Sequence, residues 1–355
     1  LHVANGSERL VFVPHVPYSG SLKSHLTAPL ALVMDPARAF ALVSVLFYLA
    51  YVAGLFRLAL LVAATAGSTF DAVFAEPDRT SPLRLLDGMT GLTVNEGLRR
   101  EIEQLPDHDA VLAGAFANGH VVTGFVFTND ARGGKPRAAA GFSYGGDPFA
   151  HLFPRSGTVA NLPALEAAAS GNGAFTVDPD PDGIHRRVPL VFSHQGELYP
   201  SLAAEAIRVA TGARSYGVKT AGSSGELSFG KSTGITQLRI GQEFTVPTNS
   251  RGEIWVWYTK SEARRFVPAW EVLAGKADAS KIEGNIVLVG TTAAGLRDVR
   301  ATPLDPVSSG VTVHAQIIEQ ILLGEYLERP DWATGAELVG YDFTTFVRRT
   351  VREVE

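Results

Sequence analysis

The chain has 355 residues, which fits one large domain or two ordinary ones at roughly 100–200 residues each. Its 31 Lys+Arg against 36 Asp+Glu leave a net charge of −5, which argues against a nucleic-acid binder, since that would carry a basic patch or stripe. Cysteine is absent, so disulfide staples, thiolate metal sites and a cysteine nucleophile are excluded together.

Charged residues make up 19% of the chain, below the usual ~25%, and the shortfall has a visible source. Residues 39–67 read AFALVSVLFYLAYVAGLFRLALLVAATAG, with Arg57 as their one charge. A bilayer crossing takes about 20 apolar residues, so the run is long enough. Lys23 and Arg38 precede it, while Asp71, Glu76 and Asp78 follow. The positive-inside tendency then puts residues 1–38 in the cytoplasm and the chain after residue 67 outside. The run starts too late and is too long for an ordinary cleavable signal peptide. A buried globular helix is the competing reading, and Arg57 favours it, because a mid-membrane arginine costs at least about 2.5 kcal/mol.

Next, residues 70–74 (FDAVF) form a strand-type run ended by Glu76, Pro77 and Asp78. A helix is expected around 95–104, capped by Asn95. Residues 110–118 read as a small-residue helix and 121–128 (VVTGFVFT) as a strand. The stretch 129–146, rich in Gly, Ala and charge, reads as an exposed loop. A helix at 162–169, a strand at 173–177, a hairpin connection at 178–183 and a strand at 186–193 follow, turned back by Gly196 and Glu197. Residues 200–211 have helical spacing, with Leu202, Ala206, Ile207 and Ala210 on one face and Ser201 as cap. Over 215–250 we expect a strand-poor β excursion with hairpins, then a strand at 254–258 and a short helix at 269–273. Residues 286–290 (IVLVG) are the cleanest buried strand of parallel type. Val313, Ile317, Ile318 and Ile321 mark one face of a last helix. This order predicts an α/β fold: a mixed sheet flanked by helices, with a β-rich insertion and an N-terminal transmembrane helix.

Four blocks carry a family resemblance: residues 70–82 (FDAVFAEPDRTSP), 161–192 (beginning NLPALEAAASGNGAF), 198–206 (LYPSLAAEA) and 285–330 (beginning NIVLVGTTAAGLRD). Their content and order resemble the CHASE2 domain, an extracytoplasmic sensory module of bacterial transmembrane receptors. The resemblance implies a periplasmic domain on the inner membrane and an output that is often a class III adenylate or guanylate cyclase, sometimes a histidine or Ser/Thr kinase. It also implies three membrane helices and an output domain beyond Pro330, where the sequence instead runs into YDFTTFVRRTVREVE. The family's opening strand with its acidic block finds no match in residues 1–69, although residues 58–69 loosely resemble the helix before the FDAVF strand. The division that follows is an N-terminal segment 1–38, a membrane or core helix 39–66, a sensor domain 70–330 and a juxtamembrane-type tail 331–355.

Asp71, with Glu76, Asp78 and Arg79 just beyond, is the densest polar group near a strand end, where ligands bind in α/β sheets. Arg79 there is either a grip for an anion or carboxylate, or part of a set of ion pairs that locks the loop together with Arg297 or Arg300. The glycine turn at 290–295 lacks the lysine of a phosphate loop and the spacing of a dinucleotide fingerprint. Asp298 is expected to reach the same strand-end region. His314 reads as a packed, hydrogen-bonded residue, because Ile318 stands where a second metal ligand would be. Residues 178–183 (DPDPDG) imitate a calcium loop, but position 12 is Pro189 and the prolines favour a rigid turn. No carboxylate pair shows an apolar setting that would split its pKa values, and no hydrolase, cyclase or kinase block is present. The candidate ligand residues are therefore Asp71, Glu76, Asp78, Arg79, Asp298 and His314. We expect no catalytic residue, metal or cofactor; the expected partners are a small-molecule or envelope ligand, the membrane and a second copy in a homodimer.

Overall fold

The central sheet holds β1 (Leu10–Pro14), β2 (Gly67–Phe70), β3 (Val121–Thr128), β5 (Gly157–Val159), β6 (Gly171–Ala174) and β14 (Ile286–Gly290), in a computed structural model that describes residues 10–14, 65–87, 96–223, 234–292 and 298–327. β1, β14, β2 and β3 lie side by side and parallel. β6 joins β3 in parallel, and β5 pairs with it antiparallel. The apolar run IVLVG thus sits between two neighbours, with Ile286, Val287 and Leu288 buried. A parallel strand covered on both faces asks for such a sequence.

Alternate residues point to opposite faces, and each face has its own helices. Phe70 and Val121 share a core with α3 (His108–Ala117) and α4 (Pro163–Ala168), and Val287 packs with Val272 of α6 (Ala269–Leu273). On the other face Val122 meets Leu202 and Val209 of α5 (Leu202–Thr211), while Ile286 and Leu288 join Val311 and Ile317 of α7 (Gly310–Leu323). A second sheet, ordered β12 (Phe244–Pro247), β11 (Ile235–Ile240), β10 (Ser215–Thr220) and β4 (Gly141–Gly145), shares that core through Tyr216, Val218, Leu238 and Val246. The described layers run helix, sheet, helix, sheet, with α5 and α7 inside. Short pieces complete the chain: α1 (Pro82–Asp87), α2 (Glu96–Glu103), β7 (Arg187–Pro189) on β13 (Glu253–Trp255), β8 (Val191–His194) on β9 (Glu197–Pro200), and β15 (Val299–Arg300) on β16 (Ser308–Ser309).

A mixed α/β fold with flanking helices and a β-rich insertion agrees with the sequence. Several elements differ in detail. The strand expected at 70–74 ends at Phe70, because the next segment turns to Asn161, whose Oδ1 accepts the Phe74 N–H at 2.8 Å. The loop expected over 129–146 contains β4, which pairs with β10. The single strand expected over 186–193 is two strands. They break at Leu190, whose N–H goes to Gly252 O at 2.9 Å. Residues 178–183 do not connect a hairpin, since β6 pairs with β3 and β7 with β13. The true hairpin is β8–β9, turned by Gln195 (φ 48°) and Gly196 (φ 76°), the left-handed pair of a tight two-residue turn. The described residues of the excursion at 215–250 form three strands, more than its composition suggested.

Among the described residues no helix is long and apolar enough to cross a membrane. Most of the run at 39–66, and all of 331–355, lie outside those residues. The end of the run is described: Thr65 is buried, and the Ala66 N–H bonds Asn285 O at 3.0 Å. Within the N-terminal segment, β1 pairs in parallel with β14, Leu10 opposite Ile286.

Candidate functional site

Asp71 is the first residue past β2, on the same face as Thr69 two positions earlier. That face looks toward α7. At the neighbouring strand end stands Gly290, where a Cβ would lie 2.7 Å from Val311 Cβ; glycine there lets the first turn of α7 sit against β14. One turn further along, His314 reaches Asp71, its Nε2 4.0 Å from Oδ1, and both side chains are buried. Asp298, just before β15, closes the remaining side. Its Oδ2 accepts the N–H of Gly310, the first residue of α7, at 3.1 Å. A carboxylate at a helix N-terminus is favoured by the helix dipole. Arg300 lies 3.4 Å from Asp298 Oδ1.

Burial governs the charge states. It pushes the Asp71 carboxyl up to about 7; repulsion from Asp298 adds to the shift and Arg300 opposes it. Burial, followed by the positive charge of Arg300, pushes His314 down to about 4. Between those values both groups are neutral. The sequence gives no sign of the raised Asp71 value, because the buried setting that produces it is assembled from β2 and α7, which are far apart in the chain.

Three buried atoms in this cluster have no hydrogen-bond partner among the described residues: Thr69 Oγ1, Asp71 Oδ2 and His314 Nδ1. His314 is packed, as the sequence suggests, but it is not hydrogen-bonded, since 4.0 Å to a carboxylate oxygen exceeds bonding distance.

The structure therefore brings Asp71, Asp298 and His314 together and leaves the other three candidates apart. Glu76 and Arg79 pair with each other at 2.5 Å on the surface. Asp78 lies slightly deeper, where bonds from Thr80 and His108 outweigh its burial and hold its carboxyl low. Arg84 ties the same loop to Asp107 and Asp109 at the start of α3. In the DPDPDG turn each acid meets an arginine: Asp178 with Arg155, Asp180 with Arg186 and Arg187, Asp182 with Arg186. Thr69 has no flag in the sequence; only its spacing of two from Asp71, once the strand is known, could have found it. Two open surface clefts, about 580 Å³ beside Lys135 and Glu166 and about 750 Å³ over Gly217 and Arg239, do not touch Asp71 or His314.

A family model described as the CHASE2 domain matches residues 62–345. The chain belongs to the CHASE2 family. No curated protein and no solved structure matches it. CHASE2 is an extracytoplasmic sensory domain family, found in membrane receptors. The match extends past residue 330 at one end and starts ahead of β2 at the other, so Thr69, Asp71, Asp298, Arg300 and His314 all lie within it. β1 lies outside it.

Proposed function

We propose that this CHASE2 domain is the signal-receiving part of a bacterial inner-membrane receptor, placed on the periplasmic side and controlling a class III adenylate or guanylate cyclase. The observation that carries the ligand site is the set of three buried, unpartnered polar atoms where β2, β14 and α7 meet. Folded proteins pair the great majority of such groups, and each one left over costs about 1–3 kcal/mol. A ligand that satisfies them in one seating of α7, and not in another, shifts the balance between the two. α7 is 14 residues long, so a displacement at its start is delivered about 21 Å away, on the C-terminal side of the domain. In this reading the receptor acts as a homodimer.

A thermal-shift screen of cell-envelope metabolites against wild type and Asp71→Asn tests the site. At least one compound is expected to stabilise wild type and to lose that effect in the variant; no stabilisation by any compound counts against the reading. A histidine or Ser/Thr kinase output fits the same site equally. A second reading, an envelope assembly protein, has one observation in its favour: Val299, Leu304 and Val307 are exposed together on the β15–β16 hairpin. Stable capture of an envelope protein that Leu304→Asp abolishes, with no small-molecule response, would favour it.

A further inference from the structure

What is already satisfied around Asp71 tells which ligand the place can hold. A helix N-terminus ordinarily attracts anions. Here Asp298 occupies that position: its Oδ2 takes the Gly310 N–H, and a Cβ on Gly310 would come within 2.4 Å of the same carboxylate. Arg300, the nearby cation, also lies against Asp298. The Ser309 and Thr312 hydroxyls bond each other at 2.7 Å. The first N–H of α7 and the guanidinium of Arg300 are therefore both taken up by Asp298. Asp71 Oδ2 is a carboxylate oxygen, Thr69 Oγ1 a hydroxyl, and His314 Nδ1 a ring nitrogen. Thr69 is fully buried, and the side chains of Asp71 and His314 are only 4% and 3% exposed.

We propose that the site binds a small cation bearing N–H donors, either ammonium or the terminal group of a primary amine, held by Asp71 Oδ2 and Thr69 Oγ1. This rests on the strand-end site described under Proposed function and adds the ligand's class. An anion would meet the acidic groups of Asp71 and Asp298, with Arg300 already held against Asp298. A neutral ligand would bond the same atoms without the attraction of two carboxylates. Among the described residues no group of three or more His, Asp and Glu side chains is arranged to hold a metal ion. A donor-bearing cation uses the hydroxyl and the carboxylate at once.

Binding exchanges a cation for a proton. The groups facing Asp71 are His314 from α7, Asp298 and Arg300 from the hairpin side, and Thr69 from its own strand; β14 contributes the Val289 carbonyl, which accepts the Asp71 N–H at 2.8 Å. Burial keeps a proton on Asp71 up to about pH 7, and that proton must leave when the cation arrives. Apparent affinity should therefore fall about tenfold per pH unit below that point and level off above it.

The test is a thermal-shift and calorimetric titration of the full chain with ammonium chloride and methylammonium chloride, against sodium chloride and tetramethylammonium chloride at equal ionic strength. The two N–H cations are expected to give a saturable rise in Tm that the other two do not give. Asp71→Asn should lose it and Thr69→Val should weaken it several-fold; the second variant serves if the first fails to fold. No saturable response above neutral pH, with ordered water as the only occupant, overturns the proposal. So does an equal response to tetramethylammonium, or an affinity that does not change with pH. If a neutral or anionic envelope compound stabilises wild type and not Asp71→Asn, the ligand class falls and the strand-end site stands. If no compound distinguishes wild type from Asp71→Asn and Thr69→Val, both fall.

Discussion

Asp71 and His314 hold opposite deviations from ordinary behaviour, and the two cancel in the folding equilibrium. The Asp71 value of about 7 lies above its ordinary 3.8, so the stability it contributes is full below that ordinary value and is lost as pH rises through about 7. The His314 value of about 4 lies below 6.5, so its contribution is full above 6.5 and is lost as pH falls through about 4. Between roughly pH 4 and 6.5, folding puts one proton on Asp71 and takes one from His314, which leaves no net slope from the pair. His314→Gln should expose the Asp71 slope, with stability falling on the order of 4 kcal/mol between about pH 4 and 7. Asp71→Asn should expose the reverse, a similar fall as pH drops from about 6.5 to 4. Urea midpoints across that range check this; parallel profiles for the two variants would refute the cancellation. Each partner was visible in the sequence by itself, as an acid at a strand end and a histidine at a helix start. Their pairing was not, because 243 positions separate Asp71 from His314 and only the packing of α7 on β14, the neighbour of β2, joins them.

α5 lies between two sheets, so the outward face of an ordinary surface helix is covered too, and even Glu205 is fully buried. Arg208 answers it with bonds of 2.8 and 2.7 Å and anchors itself to Ala213 O and Ser170 O. Tyr216 of β10 and the Asn172 N–H of β6 complete the carboxylate, so one ion pair links both sheets to the helix. Arg208→Ala leaves Glu205 buried without its cation and should cost about 3–5 kcal/mol, whereas Glu205→Leu/Arg208→Met should recover much of that loss; urea unfolding of the three proteins is the check. Gly290→Ala acts differently: its Cβ would stand 2.7 Å from that of Val311, pushing the start of α7 off β14. The expected cost is about 1–3 kcal/mol, with loss of any ligand response at Asp71. α5, α7 and β14 were legible because their apolar spacing and, for α5, the Ser201 cap, whose oxygen accepts the Ala204 N–H, are local signals. β4 was not, since GFSYG has weak strand character and becomes a strand only by lying beside β10, with Gly141 opposite Ser215. The division into β7 and β8 likewise depends on Gly252, a distant acceptor.

The chain joins the central sheet at residue 10 and again at residue 67, with β14 between the two strands. β1 and β2 each share a hydrogen-bonded ladder with residues 286–290, so they lie on the same side of any bilayer. That pairing predicts an even number of crossings, or none, between residues 14 and 67. The charge asymmetry that suggested one crossing is a statement about flanks, whereas two strands on one ladder must lie on one side of the bilayer. The absence of cysteine makes this directly testable. In cells, His2→Cys, ahead of β1, and Ala131→Cys, on an exposed loop of the domain, can each be probed with a membrane-impermeant maleimide before and after permeabilisation. The two positions are expected to label under the same condition, both before permeabilisation if the domain is periplasmic. Labelling of residue 131 in intact cells and of residue 2 only after permeabilisation would detach β1 from the sheet and restore the single crossing.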